Sequence, residues 1–153
     1  MGAVISMRIL SLLIGLILSA QVFAKTEIMV FVSFSMPHSS LVKLSRDIQK
    51  VNGVLILRGH VNQHKQHVGN SISRIIALTK GGFTFRPDLF KELDIEATPT
   101  FVLANFDEMG RISGFDKILG NVTLGYVLEQ FSERGEHQRD ARILLQRFRG
   151  GRD

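Results

Sequence analysis

The spacing of apolar residues differs between neighbouring segments of this chain, from continuous runs to the spacing of a helix. The run Ile28–Phe34 is almost continuously apolar, as expected for a strand that is covered on both faces. Beyond Pro37, which suits a first helical turn, apolar residues recur at helical spacing, at Leu41, Leu44, Ile48 and Val51. Asn52-Gly53 ends this helix, and Val54–Leu57 is a second apolar strand. The pattern predicts a β–α–β unit with parallel strands and a right-handed crossover.

The following segment predicts a helix and then an antiparallel hairpin. A second helix is expected over Lys65–Lys80, and a further helical turn after Pro87. An apolar strand, Thr100–Leu103, precedes a turn over Asn105–Gly110, and a return strand begins at Arg111.

One more helix closes this unit. Its apolar face consists of Leu124, Val127, Leu128 and Phe131. Either Asn121 or Thr123 caps its start, and Gly135 ends it. The order βαβα followed by ββα predicts an α/β fold.

The first 24 residues have the pattern of a secretory signal. A short positive region, Met1–Arg8, precedes the apolar run Ile9–Ala20, and Val22-Phe23-Ala24 is a relaxed cleavage pattern. Because this run is shorter than the roughly 18–20 residues that span a bilayer, cleavage is favoured over an uncleaved membrane anchor. A cut after Ala20 is an alternative. We expect residues 1–24 to be a signal peptide and the rest to be exported to the periplasm of a bacterium.

Composition restricts the chemistry of the exported part. The chain contains no cysteine, so it forms no disulfide and performs no thiol chemistry even in an oxidising compartment. The formal net charge of +5 is compatible with acidic partners or anionic surfaces without identifying one. Basic residues lack the interleaved aromatic residues of a nucleic-acid surface, so no nucleic acid is expected as a partner.

The element order resembles the thioredoxin-like fold. The junction Ser35–Ser39 falls where that fold places its Cys-x-x-Cys pair, whose positions correspond to Ser35 and His38 or to Met36 and Ser39. The segment Ala97–Val102 falls where the fold places a cis-proline before a strand. The resemblance therefore implies a cis Thr98–Pro99 bond in a domain that lacks the redox pair.

Five longer segments carry a more specific resemblance. They are FVSFSMP (31–37), GVLILRG (53–59), FRPDLF (85–90), ATPTFVL (97–103) and GNVTLGYVLEQF (120–131). In this order they resemble the F-type conjugative pilus assembly protein TrbC family, over about Lys25–Phe131. Where many members have an acidic residue before the second proline, this chain has Arg86.

The family resemblance implies a role for the domain over residues 25–133. That role is a non-enzymatic periplasmic assembly factor for the F-type pilus and its type IV secretion system. Its implied partners are other conjugative transfer proteins or pilin. The alternative function is a general periplasmic peptide-binding chaperone or adaptor with unrelated clients.

A groove is the expected means of partner binding. In redox relatives of the thioredoxin-like fold, an extended polypeptide binds between the strand–helix junction and the cis-proline loop. Losing the cysteines leaves this groove in place. The predicted partner-binding residues are Ser35, Met36, Pro37, His38, Thr98 and Pro99. The competing interpretation is that they only maintain the fold, with Pro37 starting a helix and Pro99 shaping a turn.

Other polar residues are candidates for a ligand, metal or catalytic site. Arg58 follows the second strand and suits a bound carboxylate, although anchoring a loop or helix end is favoured. His60, His64 and His67 have the spacing of a zinc site on a helix, but no carboxylate or cysteine of that stretch completes it. No Ser–His–carboxylate set forms around His38. We expect no metal, no cofactor and no enzymatic activity.

Residues 134–153 are expected to form a basic amphipathic helix or tail. Its apolar face consists of Ala141, Leu144, Leu145 and Phe148, with arginines such as Arg139 and Arg142 elsewhere. One hypothesis is docking on a partner or peripheral contact with an anionic membrane surface. The other is that the helix covers the core of its own domain.

Overall fold

The computed structural model describes residues 25–58 and 82–150. The predicted signal peptide, the predicted helix over 65–80 and the three histidines weighed as a zinc site lie outside these residues. In chain order the elements are β1 (Lys25–Val32), α1 (His38–Gln49), β2 (Val54–Leu57), β3 (Phe83–Phe85), α2 (Pro87–Glu92), β4 (Thr100–Phe106), β5 (Ile112–Leu119), α3 (Leu124–Arg134) and α4 (Gln138–Gly150).

The five strands form one sheet in the order β3-β2-β1-β4-β5. In the centre, β1 runs parallel to β2, where Phe31 is the partner of Ile56, and antiparallel to β4. The two strands β4 and β5 form an antiparallel hairpin. The predicted α/β fold, its parallel β–α–β strands and its hairpin are confirmed.

Three strand assignments differ from the prediction. The strand β4 continues to Phe106 rather than Leu103, so it includes the first two residues of the predicted turn. The strand β1 ends at Val32 rather than Phe34, because the chain turns at Ser33 and the Met36 amide donates to the Ser33 carbonyl at 3.1 Å. The short strand β3 was not predicted and pairs in parallel with β2. Of the two predicted caps for α3, Thr123 is confirmed, since its hydroxyl accepts a hydrogen bond from the Tyr126 amide.

Alternation along β1 supplies both halves of the core. Ile28, Val30 and Val32 belong to a cluster that α1, α3 and α4 cover. Met29 and Phe31 belong to a second cluster on the opposite face. There the Phe31 ring packs edge-to-face on Phe90, with ring centroids 4.9 Å apart. The side-chain period of two therefore places every second residue of β1 on each side of the sheet.

The helix α4 packs against the core of its own domain. Ala141 and Leu145 are buried in the same cluster as the apolar residues of α3, and Leu144 and Phe148 pack against that cluster. The Thr26 hydroxyl lies 3.0 Å from Oδ2 of Asp140, which connects the helix start to β1. The apolar face of α4 is therefore occupied within the domain, as the second of the two hypotheses for this helix expected.

Backbone hydrogen bonds fix the turn between α3 and α4. The Asp116 carboxylate on β5 accepts from the amide of Glu136 at 2.7 Å and from the amide of His137 at 3.0 Å. These bonds hold α4 over the sheet. No helix within residues 25–58 and 82–150 is both long enough and apolar enough to cross a membrane.

Truncating Leu145 tests whether α4 is part of the core. Leu145→Ala removes a side chain that is 8% exposed, so we expect a loss of about 2–5 kcal/mol in the free energy of unfolding. Ile143→Ala is the matched control on the same helix, because Ile143 is 47% exposed, and should change stability by less than about 0.5 kcal/mol. Urea denaturation measures both; equal small losses would contradict the packing of α4.

Gly53 is a position where the backbone approaches its neighbours closely. A Cβ atom there would lie 2.6 Å from the Ile28 carbonyl oxygen and 2.6 Å from Cδ1 of Ile48. We expect Gly53→Ala to destabilise the domain by about 1–3 kcal/mol, because backbone must move. Gly82→Ala is the control, since its nearest atom would be 3.4 Å away. Similar melting curves for both variants would refute this account.

Candidate functional site

A cavity of about 390 Å³ lies at the carboxyl ends of the parallel strands β1 and β2. Crevices at this edge of open α/β sheets are common ligand sites. The ends of β1 and β2, with Arg58, meet there with Phe90 of α2 and with the loop before β4. The lining residues are Val32, Ser33, Phe34, Ser35, Leu57, Arg58, Phe90, Glu96, Ala97 and Thr98. We refer to this cavity as the groove.

A hydrogen-bonded turn positions the first side of the groove. The Ser33 and Ser35 hydroxyl oxygens lie 2.9 Å apart, and the Ser35 amide donates to the Ser33 hydroxyl at 3.2 Å. The turn is followed by Pro37, the N-cap residue of α1, whose carbonyl accepts from the amide of Leu41. Strand β1 and helix α1 therefore fix both ends of this short segment.

The opposite side of the groove is the loop before β4. The Thr98–Pro99 peptide bond is cis, as the fold resemblance implied. The Thr100 hydroxyl donates to the Ala97 carbonyl at 2.7 Å, and the Gly120 amide donates to the Pro99 carbonyl at 3.1 Å. These bonds hold Thr98 against the cavity.

Arg58 anchors the same loop from below. Its Nη2 donates to the Ile95 carbonyl at 2.8 Å, and its guanidinium carbon lies 4.8 Å from the centroid of the Phe90 ring. The loop-anchoring role favoured from the sequence is confirmed by these contacts. Arg58 and Glu96 are the charged residues of the groove lining.

The structure brings together part of the predicted site. Ser35 and Thr98 line the groove. Pro37 and His38 are exposed outside the lining, and Pro99 is buried. Met36 was expected to be an adaptable contact for a partner, but it is half-buried and packs against the main core cluster. A role of these six residues in partner binding stays a prediction.

Several groove residues were missed by the sequence analysis. Phe90 comes from α2 and therefore reaches the groove only through the fold. Glu96 and Ala97 directly precede Thr98. Their position next to the expected cis-proline could have indicated that they line the groove. Val32 and Leu57 are the last residues of β1 and β2, and they supply apolar surface.

Arg86 is the N-cap residue of α2 and forms an ion pair with this helix. Its guanidinium donates to both carboxylate oxygens of Asp88, with the shortest bond at 2.7 Å between Nη2 and Oδ2. This hydrogen bonding lowers the pKa of the Asp88 carboxyl and raises the pKa of Arg86. The basic residue at this position is thus paired with its own helix.

The groove presents both polar and apolar groups. It offers hydroxyl groups, main-chain groups and apolar side chains, without a thiol anywhere in the chain. Among residues 25–58 and 82–150, no three side chains of the His, Cys, Asp or Glu type are grouped to hold a metal ion.

Solved structures similar to this chain include StoA and DsbF. StoA from Bacillus subtilis superimposes with a TM-score of 0.47 and 18% sequence identity, covering 68% of this chain and 80% of StoA. Mycobacterium tuberculosis DsbF superimposes with a TM-score of 0.43 and 13% identity, covering 79% of this chain and 81% of that chain.

A relative at the sequence level is Periplasmic protein TrbC of Escherichia coli strain K12. The two are 29% identical over 119 residues, which cover 75% of this chain. The chain matches about half of that relative's length, 52%. The relative's description agrees with the periplasmic location expected from the sequence.

The profile of one protein family matches residues 30–131, which is most of the described domain. That family is described as the type-F conjugative transfer system pilin assembly protein. The match contains all five segments that carried the resemblance, and it includes every lining residue of the groove. The chain therefore belongs to the TrbC family of F-type conjugative pilin assembly proteins.

Proposed function

We propose that this protein acts in F-type pilus assembly as a non-enzymatic binding protein of the periplasm. The groove holds an extended segment of another transfer protein or of pilin. No bond of the bound segment is made or broken. The proposal combines the assembly role of the family with a binding mode that follows from the groove.

One observation carries this proposal. The groove is lined entirely by residues within the family-matched segment 30–131, yet the chain has no cysteine. A thioredoxin-like groove without thiols retains its apolar walls and its main-chain hydrogen-bonding groups. Such a surface supports recognition of an extended chain, while disulfide exchange has no nucleophile.

The walls of the groove suit a peptide with mixed side chains. Val32, Leu57 and Phe90 provide apolar surface, and the Ser33 and Ser35 hydroxyls offer donors and acceptors. The volume of about 390 Å³ is within the range of small ligand pockets, and it accommodates a few side chains rather than a folded domain. Main-chain hydrogen bonds beside Thr98 would contribute affinity that depends little on the sequence of the bound peptide.

Deleting the gene from a conjugation-proficient donor tests the assembly role. We expect surface pili and plasmid transfer to be lost, because the donor then lacks the protein whose groove holds a segment of pilin or of another transfer protein. A full-length copy should restore both, whereas a copy without residues 1–24 should restore neither, because it stays in the cytoplasm. Pilus counts by microscopy and mating frequency are the measurements. Normal pili in the deletion strain would refute the assembly role.

Filling the groove tests the binding mode separately. Ser35→Trp places a large ring in the cavity, and we expect mating frequency to fall by about tenfold or more, the effect of losing about 1.4 kcal/mol of binding. Ser39→Trp is the matched control, because Ser39 is exposed on α1 outside the lining, and it should mate normally. Both variants must accumulate to wild-type levels in the periplasm.

Normal mating with a folded Ser35→Trp protein would rule out the groove while leaving the assembly role intact. The general chaperone hypothesis makes a different prediction for the same variants. It requires that the purified protein suppress aggregation of unrelated unfolded proteins and that Ser35→Trp abolish this effect.

A further inference from the structure

The strand β5 is an edge of the described sheet, and its outer side has no neighbouring strand among residues 25–58 and 82–150. It runs for eight residues without a proline. An uncovered strand edge presents unpaired N–H and C=O groups, which pair readily with another chain. The edge lies apart from the groove, whose lining contains no residue of β5.

The hydrogen-bond register shows which backbone groups point outward. The Gly120 amide donates to the Pro99 carbonyl, so these two residues form a hydrogen-bonded pair of the β4–β5 ladder. Pairs alternate along an antiparallel ladder, and Thr100 opposite Leu119 is therefore a non-hydrogen-bonded pair. By the same alternation, the main-chain groups of Phe115, Lys117 and Leu119 point away from β4.

The same three residues present side chains on one face of the sheet. Phe115 is 37% exposed and Leu119 is 59% exposed, which makes them two of the large apolar side chains at the surface. Lys117 lies between them and is the charged residue on this face of β5. The edge thus displays an apolar–basic–apolar pattern together with main-chain groups that have no partner strand in the described part of the chain.

Charged side chains on edge strands usually protect against pairing, but those of β5 are engaged elsewhere. The Lys117 ammonium donates to the Leu93 carbonyl at 3.0 Å and to the Asp94 carbonyl at 3.1 Å, which holds it over the sheet face. The Asp116 carboxylate accepts from the amides of Glu136 and His137 on the other face. The irregular register between Asn105 and Phe106 lies at the opposite end of the strand.

We propose that β5 is a second docking surface, which accepts one extended strand of another protein with an acidic side chain between two apolar ones. The apolar side chains of that strand cover Phe115 and Leu119. Its carboxylate accepts from the third N–H of the Lys117 ammonium, whose other two N–H groups donate to the Leu93 and Asp94 carbonyls. Main-chain hydrogen bonds to the three outward-pointing residues extend the sheet by one strand.

Charge decides between this partner and a second copy of the chain. In an antiparallel dimer, the register that pairs Phe115 with Leu119 of the other copy also sets Lys117 against Lys117. Like charges directly opposite each other destabilise a strand pair, whereas opposite charges stabilise it. A heterologous strand with a central carboxylate avoids that repulsion.

Synthetic peptides provide the probe. The peptide Thr-Val-Thr-Glu-Thr-Val-Thr, with both ends blocked, carries its apolar and acidic side chains on one face, and the matched control has Lys in place of Glu. Titrated into the purified exported protein and followed by NMR, the Glu peptide should bind about threefold more tightly than the Lys peptide. Lys117→Glu should reverse this preference without affecting the groove.

Two variants at Lys117 separate the contribution of main-chain hydrogen bonds to peptide binding from that of the Lys117 charge. Lys117→Pro removes an outward N–H without removing a bond to β4, and we expect peptide binding about tenfold weaker than in Lys117→Gln, which keeps that N–H. Circular dichroism must show both variants folded. Equal binding by the two variants would overturn the proposal.

Hydrogen exchange of the unmodified protein gives a readout that requires no variant. The amides of Phe115, Lys117 and Leu119 should exchange quickly in the free protein and become protected when the Glu peptide binds. The amides of Asp116 and Ile118 should be protected in both states, because they face β4. Protection at other residues, absence of binding at millimolar peptide, or a β5-mediated dimer in sedimentation would each overturn the proposal.

Discussion

Burial of β1 on both faces, with a paired strand along each of its edges, is the constraint on which the other elements depend. Its parallel partner β2 requires a crossover through α1, and its antiparallel partner β4 brings the cis-proline loop back beside the end of β1. Phe31 on one face and Val30 on the other require a covering layer each. The groove arises where β1 and β2 end and this packing stops, at Val32 and Leu57.

The proposed binding function rests on what this scaffold retains without cysteines. A redox protein of this architecture needs a stabilised thiolate at the start of the helix, whereas a binding protein needs only the shape and the main-chain groups beside it. Here the Ser33–Ser35 turn and Thr98 supply that shape, and Arg58 keeps the loop in place through the Ile95 carbonyl. The docking surface proposed on β5 lies apart from the groove, so the two proposed partners would not compete for the same residues.

The sequence predicted well those elements whose apolar residues recur with a regular period within the element itself. Periodic apolar residues located α1, α3 and the strands β2 and β4, because burial on one face or two leaves a direct trace in the sequence. The strand β3 was missed, since three residues, Phe83–Phe85, carry little periodicity and their state is set by pairing with β2. The packing of Met36 against the core cluster was not predicted, although an apolar residue just before an N-cap often packs back on its helix. Phe90 reaches the groove through tertiary packing alone.

Photocrosslinking in mating donor cells tests the central claim that the groove binds a protein of the pilus assembly machinery. A photoreactive p-benzoylphenylalanine replaces Ala97 in the groove lining, and the same group at Arg139 on the exposed side of α4 serves as the control. Our account predicts a discrete adduct between position 97 and pilin or another transfer protein, identified by mass spectrometry and absent at position 139. No adduct at position 97 in cells that assemble pili normally, or the same adducts at both positions, would contradict it.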